Sequence, residues 1–264
     1  MSRCSVALVQ IAVRDDESAA ARLARGLDLL AKFDRPVQFA VLPELWTAGF
    51  FNFDQYASLA ETLDGPTAKR LAEAASRGGF WLHGGSLIES APDGNLYNTS
   101  LLFDPRGNLA ATYRKIHLFG IDSAEKAILK GGESPVNLAS EIGNLGLTTC
   151  YDLRFPELYR ALSSRGAEVT LVCATWPAAR LEHWLILARA RAIENLSYVL
   201  ACNAAGSNRG VDLGGNSIII DPWGRVLAQA GDRESVVYAE INREEVAAIR
   251  ARFPALGDRR VASS

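Results

Sequence analysis

Residues 145–160 read LGLTTCYDLRFPELYR, and the change of pattern inside this stretch decides the fold. Leu145 to Cys150 is apolar throughout, which predicts a strand buried on both faces. From Phe155 to Arg165 the apolar residues take helical spacing, opened by Pro156 and stopped by Gly166. A buried strand running into a helix is the unit of α/β proteins, and active sites collect at that junction. Cys150 stands there.

The same alternation extends in both directions. Strand-like runs occur at 5–13, 38–43, 80–88, 99–103, 168–174, 198–203, 217–220 and 235–241. Helical stripes lie between them: Ala20, Leu23, Leu27 and Leu30; Ala68, Leu71, Ala72 and Ala75; Leu181, Trp184, Leu185 and Ala188; and an amphipathic segment from Arg243 to Arg252. Asp93-Gly94, Asp104-Pro105-Arg106-Gly107 and Asp221-Pro222-Trp223-Gly224 read as hairpin turns. Crossover units mixed with hairpins predict mixed sheets with helices outside. No repeat or linker divides the 264 residues, so one domain is expected over 1–264, with a tail from about residue 253.

Composition narrows the function. The 28 basic and 30 acidic side chains nearly cancel to −2, which argues against a nucleic-acid binder. Four cysteines are too few for a disulfide scaffold, no pair is spaced CxxC, and the three histidines form no HExxH pair, so no metal site is expected. The N-terminal apolar run is broken by Gln10 and ended by Arg14, too short for a membrane span and unlike a secretory signal. A soluble cytoplasmic protein with reduced thiols is the expectation.

Three residues stand out on position. Cys150 is either a core cysteine, as Cys4, Cys173 and Cys202 read, or a nucleophile whose thiolate the following helix and Arg154 favour. Glu44 ends the run FAVLP; it is either a surface glutamate or a desolvated general base. Lys115 alternates with Tyr113 and His117 as on a strand; it is either a solvated charge or an oxyanion stabiliser. There is no GxSxG elbow, no Walker A loop and no GxGxxG after the first strand. The pairs Gly84-Gly85 and Gly131-Gly132 read as turn or close-approach glycines.

Taken together, VLPELWTAGF (41–50), YRKIHLFG (113–120) and TTCYDLRFPELYR (148–160) resemble the nitrilase superfamily of carbon–nitrogen hydrolases. TWP at 175–177, ARARAIEN at 188–195 and NSIIIDPWG at 216–224 support the resemblance, which runs over nearly the whole chain. It implies a four-layer αββα sandwich and a homodimer in which the Cys150 segment and the helix near 181–195 approach the interface. It also implies a cofactor-free Glu–Lys–Cys amidase. Cys150 would be the nucleophile and Glu44 the general base, while Lys115 and the Tyr151 backbone N–H would hold the oxyanion. Glu125, or else Glu133, would be a second glutamate holding the lysine.

The motifs are most similar to the ω-amidase branch, which acts on small dicarboxylate amides such as 2-oxoglutaramate. There Arg154 would meet a substrate carboxylate, or else form an ion pair with Asp152 or Glu157. Phe50, in the cluster Phe50-Phe51-Asn52-Phe53, lines the entrance or packs in the core, and Trp176 belongs to a pocket-shaping loop. Deaminated-glutathione amidase and nitrile hydrolase are the alternative enzymes. A non-catalytic binding protein is the alternative of another class, and it would be expected to lack part of the triad.

Overall fold

The computed structural model describes residues 3–121 and 123–260. Two six-stranded mixed sheets form its centre. The first runs, in spatial order, Ser235–Asn242, Arg3–Gln10, Phe39–Val41, Trp81–Ser90, Leu96–Phe103 and Leu109–Arg114. The second runs Val226–Gln229, Ile218–Ile220, Tyr198–Asn203, Val169–Ala174, Gly143–Thr149 and Val136–Ser140. In the first sheet Arg3–Gln10, Phe39–Val41 and Trp81–Ser90 are parallel. In the second, Gly143–Thr149, Val169–Ala174 and Tyr198–Asn203 are parallel. Antiparallel strands flank each parallel trio.

Strand alternation sorts the side chains between layers. Phe39 and Val41 join Val6 and Leu8 in a core continuous with the second sheet. Ala40 and Leu42 turn the other way, onto Leu27 and Leu30 of helix Ala19–Ala31 and Leu71 and Ala75 of helix Pro66–Gly78. Helices Pro156–Ser164 and Leu181–Asn195 pack against the second sheet. The layers are therefore helix, sheet, sheet, helix, as the resemblance implies.

Local chemistry accounts for the element ends. The Ser18 hydroxyl caps Ala19–Ala31 by accepting the Ala21 N–H at 3.2 Å. Pro66 opens the next helix, and Gly79, at φ +64°, closes it in the left-handed region.

Two elements carry no legible period. Val136–Ser140 is an edge strand of five partly buried or exposed residues. A small sheet joins Ala12–Val13, Ala205–Asn208 and Val211–Asp212, pieces too short to alternate. One expectation is corrected. The strand Leu109–Arg114 stops before Lys115, so Tyr113, Lys115 and His117 do not share one strand. The chain leaves the sheet because Ile116 N–H bonds to the Tyr113 hydroxyl (3.3 Å) and His117 N–H to Asp152 (3.0 Å) instead of to a neighbouring strand.

Candidate active site

The ends of the parallel strands from both sheets meet at one place. Glu44 follows Phe39–Val41, Cys150 follows Gly143–Thr149, and Thr175 follows Val169–Ala174. The Glu44 turn is held by the neighbouring strand. The pairing register shifts between His83 and Ser86, where Gly84 and Gly85 sit. A Cβ on Gly85, at φ +71°, would stand 1.9 Å from the Pro43 carbonyl oxygen, so only glycine admits that approach. The Trp46 indole N–H donates to the Gly84 carbonyl (2.9 Å) and Leu45 N–H to the Ser86 hydroxyl (3.0 Å). Gly132 plays the same part for the lysine: its N–H bonds to the Lys115 carbonyl at 2.9 Å, and a Cβ there would lie 2.2 Å from the Arg114 oxygen.

The Lys115 ammonium sits between two buried carboxylates, 2.8 Å from Glu44 Oε1 and 2.9 and 3.0 Å from the two Glu125 oxygens. All three side chains are 0% exposed. The Asn98 amide donates to both glutamates, at 2.8 and 3.1 Å. Thr175 N–H donates to Glu44 Oε2 at 3.0 Å, and Phe119 N–H to Glu125 Oε2 at 2.7 Å. Burial alone would drive the lysine toward neutrality, but Glu125 and Glu44 hold its pKa well above the usual lysine value. Burial and the Glu44 charge raise the Glu125 carboxyl, against the pull of Lys115. Buried charges persist only when paired and hydrogen-bonded, and this cluster meets that condition. Glu133, the other claimant for the second glutamate, is exposed and bonds to nothing among the described residues.

Cys150 adopts φ +47° and Leu45, next to Glu44, φ +40°. Such backbone costs on the order of 1–3 kcal/mol per residue and tends to cluster at sites where a side chain must be aimed. The expected thiolate is corrected. Burial first, then the Glu44 charge, pushes the Cys150 thiol well above its ordinary value, outweighing Lys115. The α-helix starts only at Pro156, after a 3₁₀ turn over Cys150–Arg154. The Cys150 thiol thus lies beside a carboxylate that disfavours its ionised form. Cys4, Cys173 and Cys202 lie within strands, as expected.

Cys150 lines a small cavity with Phe50, Phe119, Tyr151, Trp176 and two arginines, Arg154 and Arg180. Phe50 is both core and lining: it is buried, edge-on to Phe51 and Phe53, and the Lys115 ammonium lies 5.2 Å from its ring centre. Tyr151 is second in the 3₁₀ turn, so its amide has no acceptor within that turn. Arg154 pairs with neither Asp152 nor Glu157. Its Nη2 lies 3.1 Å from His183 Nδ1 and its guanidinium 4.9 Å from the Trp176 ring centre. Asp152 instead takes the Tyr113 hydroxyl (2.7 Å), Thr149 N–H (2.9 Å) and both the backbone N–H and Nδ1 of His117 (3.0 and 2.7 Å). It thereby ties the Lys115 loop to the Cys150 turn.

Asn98 was not legible as a site residue, and Thr175 and Arg180 were legible only as parts of the TWP stretch and of the pocket-shaping loop 176–182. Asn98 is one polar residue in the strand LYNTSLLF, and its only signal is an amide on a face that is otherwise buried. Among the described residues, no group of three or more His, Cys, Asp or Glu is placed to hold a metal ion, and no helix is long and apolar enough to cross a membrane.

The chain is similar to several known amidases. A 2-oxoglutaramate amidase of Paenarthrobacter nicotinovorans is 42% identical over 97% of this chain and 89% of its own length. A deaminated glutathione amidase of Synechocystis is 42% identical over 63% of this chain and 65% of its own. Among solved structures, a glutamate-to-glutamine variant of the amidase from Nesterenkonia sp. AN1 superposes with a TM-score of 0.84 at 29% identity, covering 97% of this chain and 94% of that one. It shows covalent addition of the acetamide moiety of fluoroacetamide at the active-site cysteine. The carbon–nitrogen hydrolase family model matches residues 5–251, the span that carries Glu44, Lys115, Glu125 and Cys150, and the chain belongs to that family.

Proposed function

We propose that this protein hydrolyses the terminal amide of a small carboxylate, in the manner of an ω-amidase, through a thioester on Cys150. The observation that carries the reading is the lysine clamped between two buried glutamates beside a cavity-lining cysteine. An amide is a poor electrophile, and a covalent acyl intermediate divides the difficulty into two steps. Glu44 takes the Cys150 proton as Sγ attacks the amide carbon. The oxyanion forms against Lys115 Nζ and the Tyr151 N–H. Glu44 then protonates the departing nitrogen, ammonia leaves, and the thioester remains. Water enters, gives its proton to Glu44 and attacks the thioester, releasing the acid and the thiol. No histidine is required, because one glutamate carries the proton in each step.

Glu125 positions Lys115 and keeps it charged. A donor aimed at developing negative charge contributes about 10²–10³ in kcat. Arg154, with a guanidinium suited to bidentate pairing, receives the far carboxylate. The similarity to a 2-oxoglutaramate amidase supports 2-oxoglutaramate as the substrate. Deaminated glutathione is the second reading, supported by the Synechocystis relative.

Ammonia release from 2-oxoglutaramate, succinamate, deaminated glutathione, glutamine and simple nitriles tests this. The two small anionic amides are expected to give the highest kcat/KM. Faster turnover of deaminated glutathione or nitriles would redirect the substrate, and no ammonia from any of them would overturn the enzyme reading.

We further read the chain as a cytoplasmic homodimer. Ile186 and Ile193 on the helix Leu181–Asn195 are exposed, with Trp223 and Phe253 packed edge-on nearby. Light scattering on the eluted protein would return twice the chain mass.

A further inference from the structure

Arg180 was singled out neither by a motif nor by the mechanism, yet it lines the Cys150 cavity. It ends the short 3₁₀ turn Ala178–Arg180, where the chain passes into the helix Leu181–Asn195. Its backbone is fixed on both sides. Arg180 N–H donates to the Pro177 carbonyl at 3.1 Å, and the Arg180 carbonyl accepts the Trp176 indole N–H at 2.8 Å. Its guanidinium lies 5.3 Å from the ring centre of Phe119, across one wall of the cavity. Arg154 is arranged in the same way, 4.9 Å from the ring centre of Trp176. Trp176 therefore carries one guanidinium on its ring and anchors the backbone of the other through its N–H.

Both arginines are half-buried. Neither forms an ion pair with a carboxylate among the described residues, whereas Arg22, Arg25, Arg114 and Arg191 do. Two cations on the walls of one small, mainly aromatic cavity repel each other and lack a counter-charge. An anion between them relieves both conditions. A guanidinium stacked on a ring keeps its N–H edge available for a carboxylate, and such pairing strengthens as water is excluded. An uncharged amide gains nothing from this arrangement.

We propose that Arg180 is a second carboxylate-recognising residue of the Cys150 cavity and that, with Arg154, it selects amides bearing an anionic group at the end remote from the scissile bond. The proposal rests on the amidase reading and adds a specificity determinant to it. Arg180 acts on substrate affinity, so its effect falls on KM more than on kcat.

Butyramide and succinamate test it, because they differ only in a methyl group against a carboxylate. The quantity read is the ratio of kcat/KM for succinamate to that for butyramide, in the wild-type chain and in Arg180→Gln, Arg180→Lys, Arg154→Gln and the double glutamine variant. Arg180→Gln is expected to lower the ratio at least about tenfold, equivalent to ~1.4 kcal/mol, mainly by raising the KM for succinamate. Arg180→Lys should recover part of the loss, and the double variant should fall below either single one. An unchanged ratio in Arg180→Gln overturns the proposal. So does a parallel loss on both substrates, which would mark a structural role. Failure of the underlying reading looks different: the wild-type chain would release ammonia from neither amide.

Discussion

Cys150 and Cys173 carry the same thiol on adjacent parallel strands, one step apart in register, because Cys173 pairs with Thr149. Burial pushes both thiols up. Cys173 stays inside its strand, 3.5 Å from the Thr149 hydroxyl. Cys150 lies just past the strand end, in a left-handed conformation, facing Glu44 and the cavity. Burial therefore does not separate the two cysteines. What separates them is that Cys150 has a carboxylate beside it and lines the cavity.

Buried basic groups divide the same way. Lys115, at a strand end, has two carboxylate partners and keeps its charge. His83, inside Trp81–Ser90, has no partner for either ring nitrogen among the described residues, and burial lowers its pKa to about 4. The side chains inside strands are closed off, whereas those at strand ends meet carboxylates or the cavity.

The largest test of that division is Cys150→Ala against Cys173→Ala. The first should cut ammonia release by about 10⁴-fold or more. The second should keep activity within a few-fold and cost about 1 kcal/mol in a urea titration. Equal loss of activity in both would break the comparison.

Lys115→Met comes next, with kcat expected to fall about 10²–10³-fold. It also strands two buried carboxylates, so chemical denaturation of the same sample should show a loss of ~3–5 kcal/mol. Unchanged turnover would remove the lysine from the chemistry.

His83 tests the interior side by stability. Because its folded pKa lies below its unfolded one, the unfolded chain binds the extra proton. Stability is then full above about pH 6.5 and declines by ~3 kcal/mol as pH falls toward 4. His83→Leu should flatten that part of the urea midpoint profile, and an unaltered profile would show that His83 does not titrate there.

The smallest effect concerns the thiol itself. A raised pKa means less thiolate at any given pH, so alkylation of Cys150 by iodoacetamide should climb about tenfold per pH unit past pH 9. A plateau below pH 7 would restore the thiolate reading.

Cys150 and Glu44 were legible because each follows an apolar run, whereas Lys115 was legible through the motif YRKIHLFG and not by a local change of pattern. The layers were legible from the apolar runs too, since buried parallel strands read as continuous apolar segments. The upward shift of the Cys150 thiol was not, because the nearby helix and Arg154 suggest a thiolate, while tertiary burial and then Glu44, on the other sheet, raise it. Asn98, Arg180 and the Asp152–Tyr113–His117 bonds are likewise made by tertiary contact, with partners distant in the chain. The strand Val136–Ser140 escaped because an edge strand without a buried face carries no alternation.

The most direct measurement is peptide mapping by mass spectrometry after the chain is mixed with 2-oxoglutaramate and quenched in acid during turnover. The acyl mass is expected on the peptide containing Cys150 and on no other cysteine peptide, and it should disappear when hydroxylamine cleaves the thioester. An acyl group on Cys173 or Cys202, or ammonia release by Cys150→Ala at the wild-type rate, would contradict it.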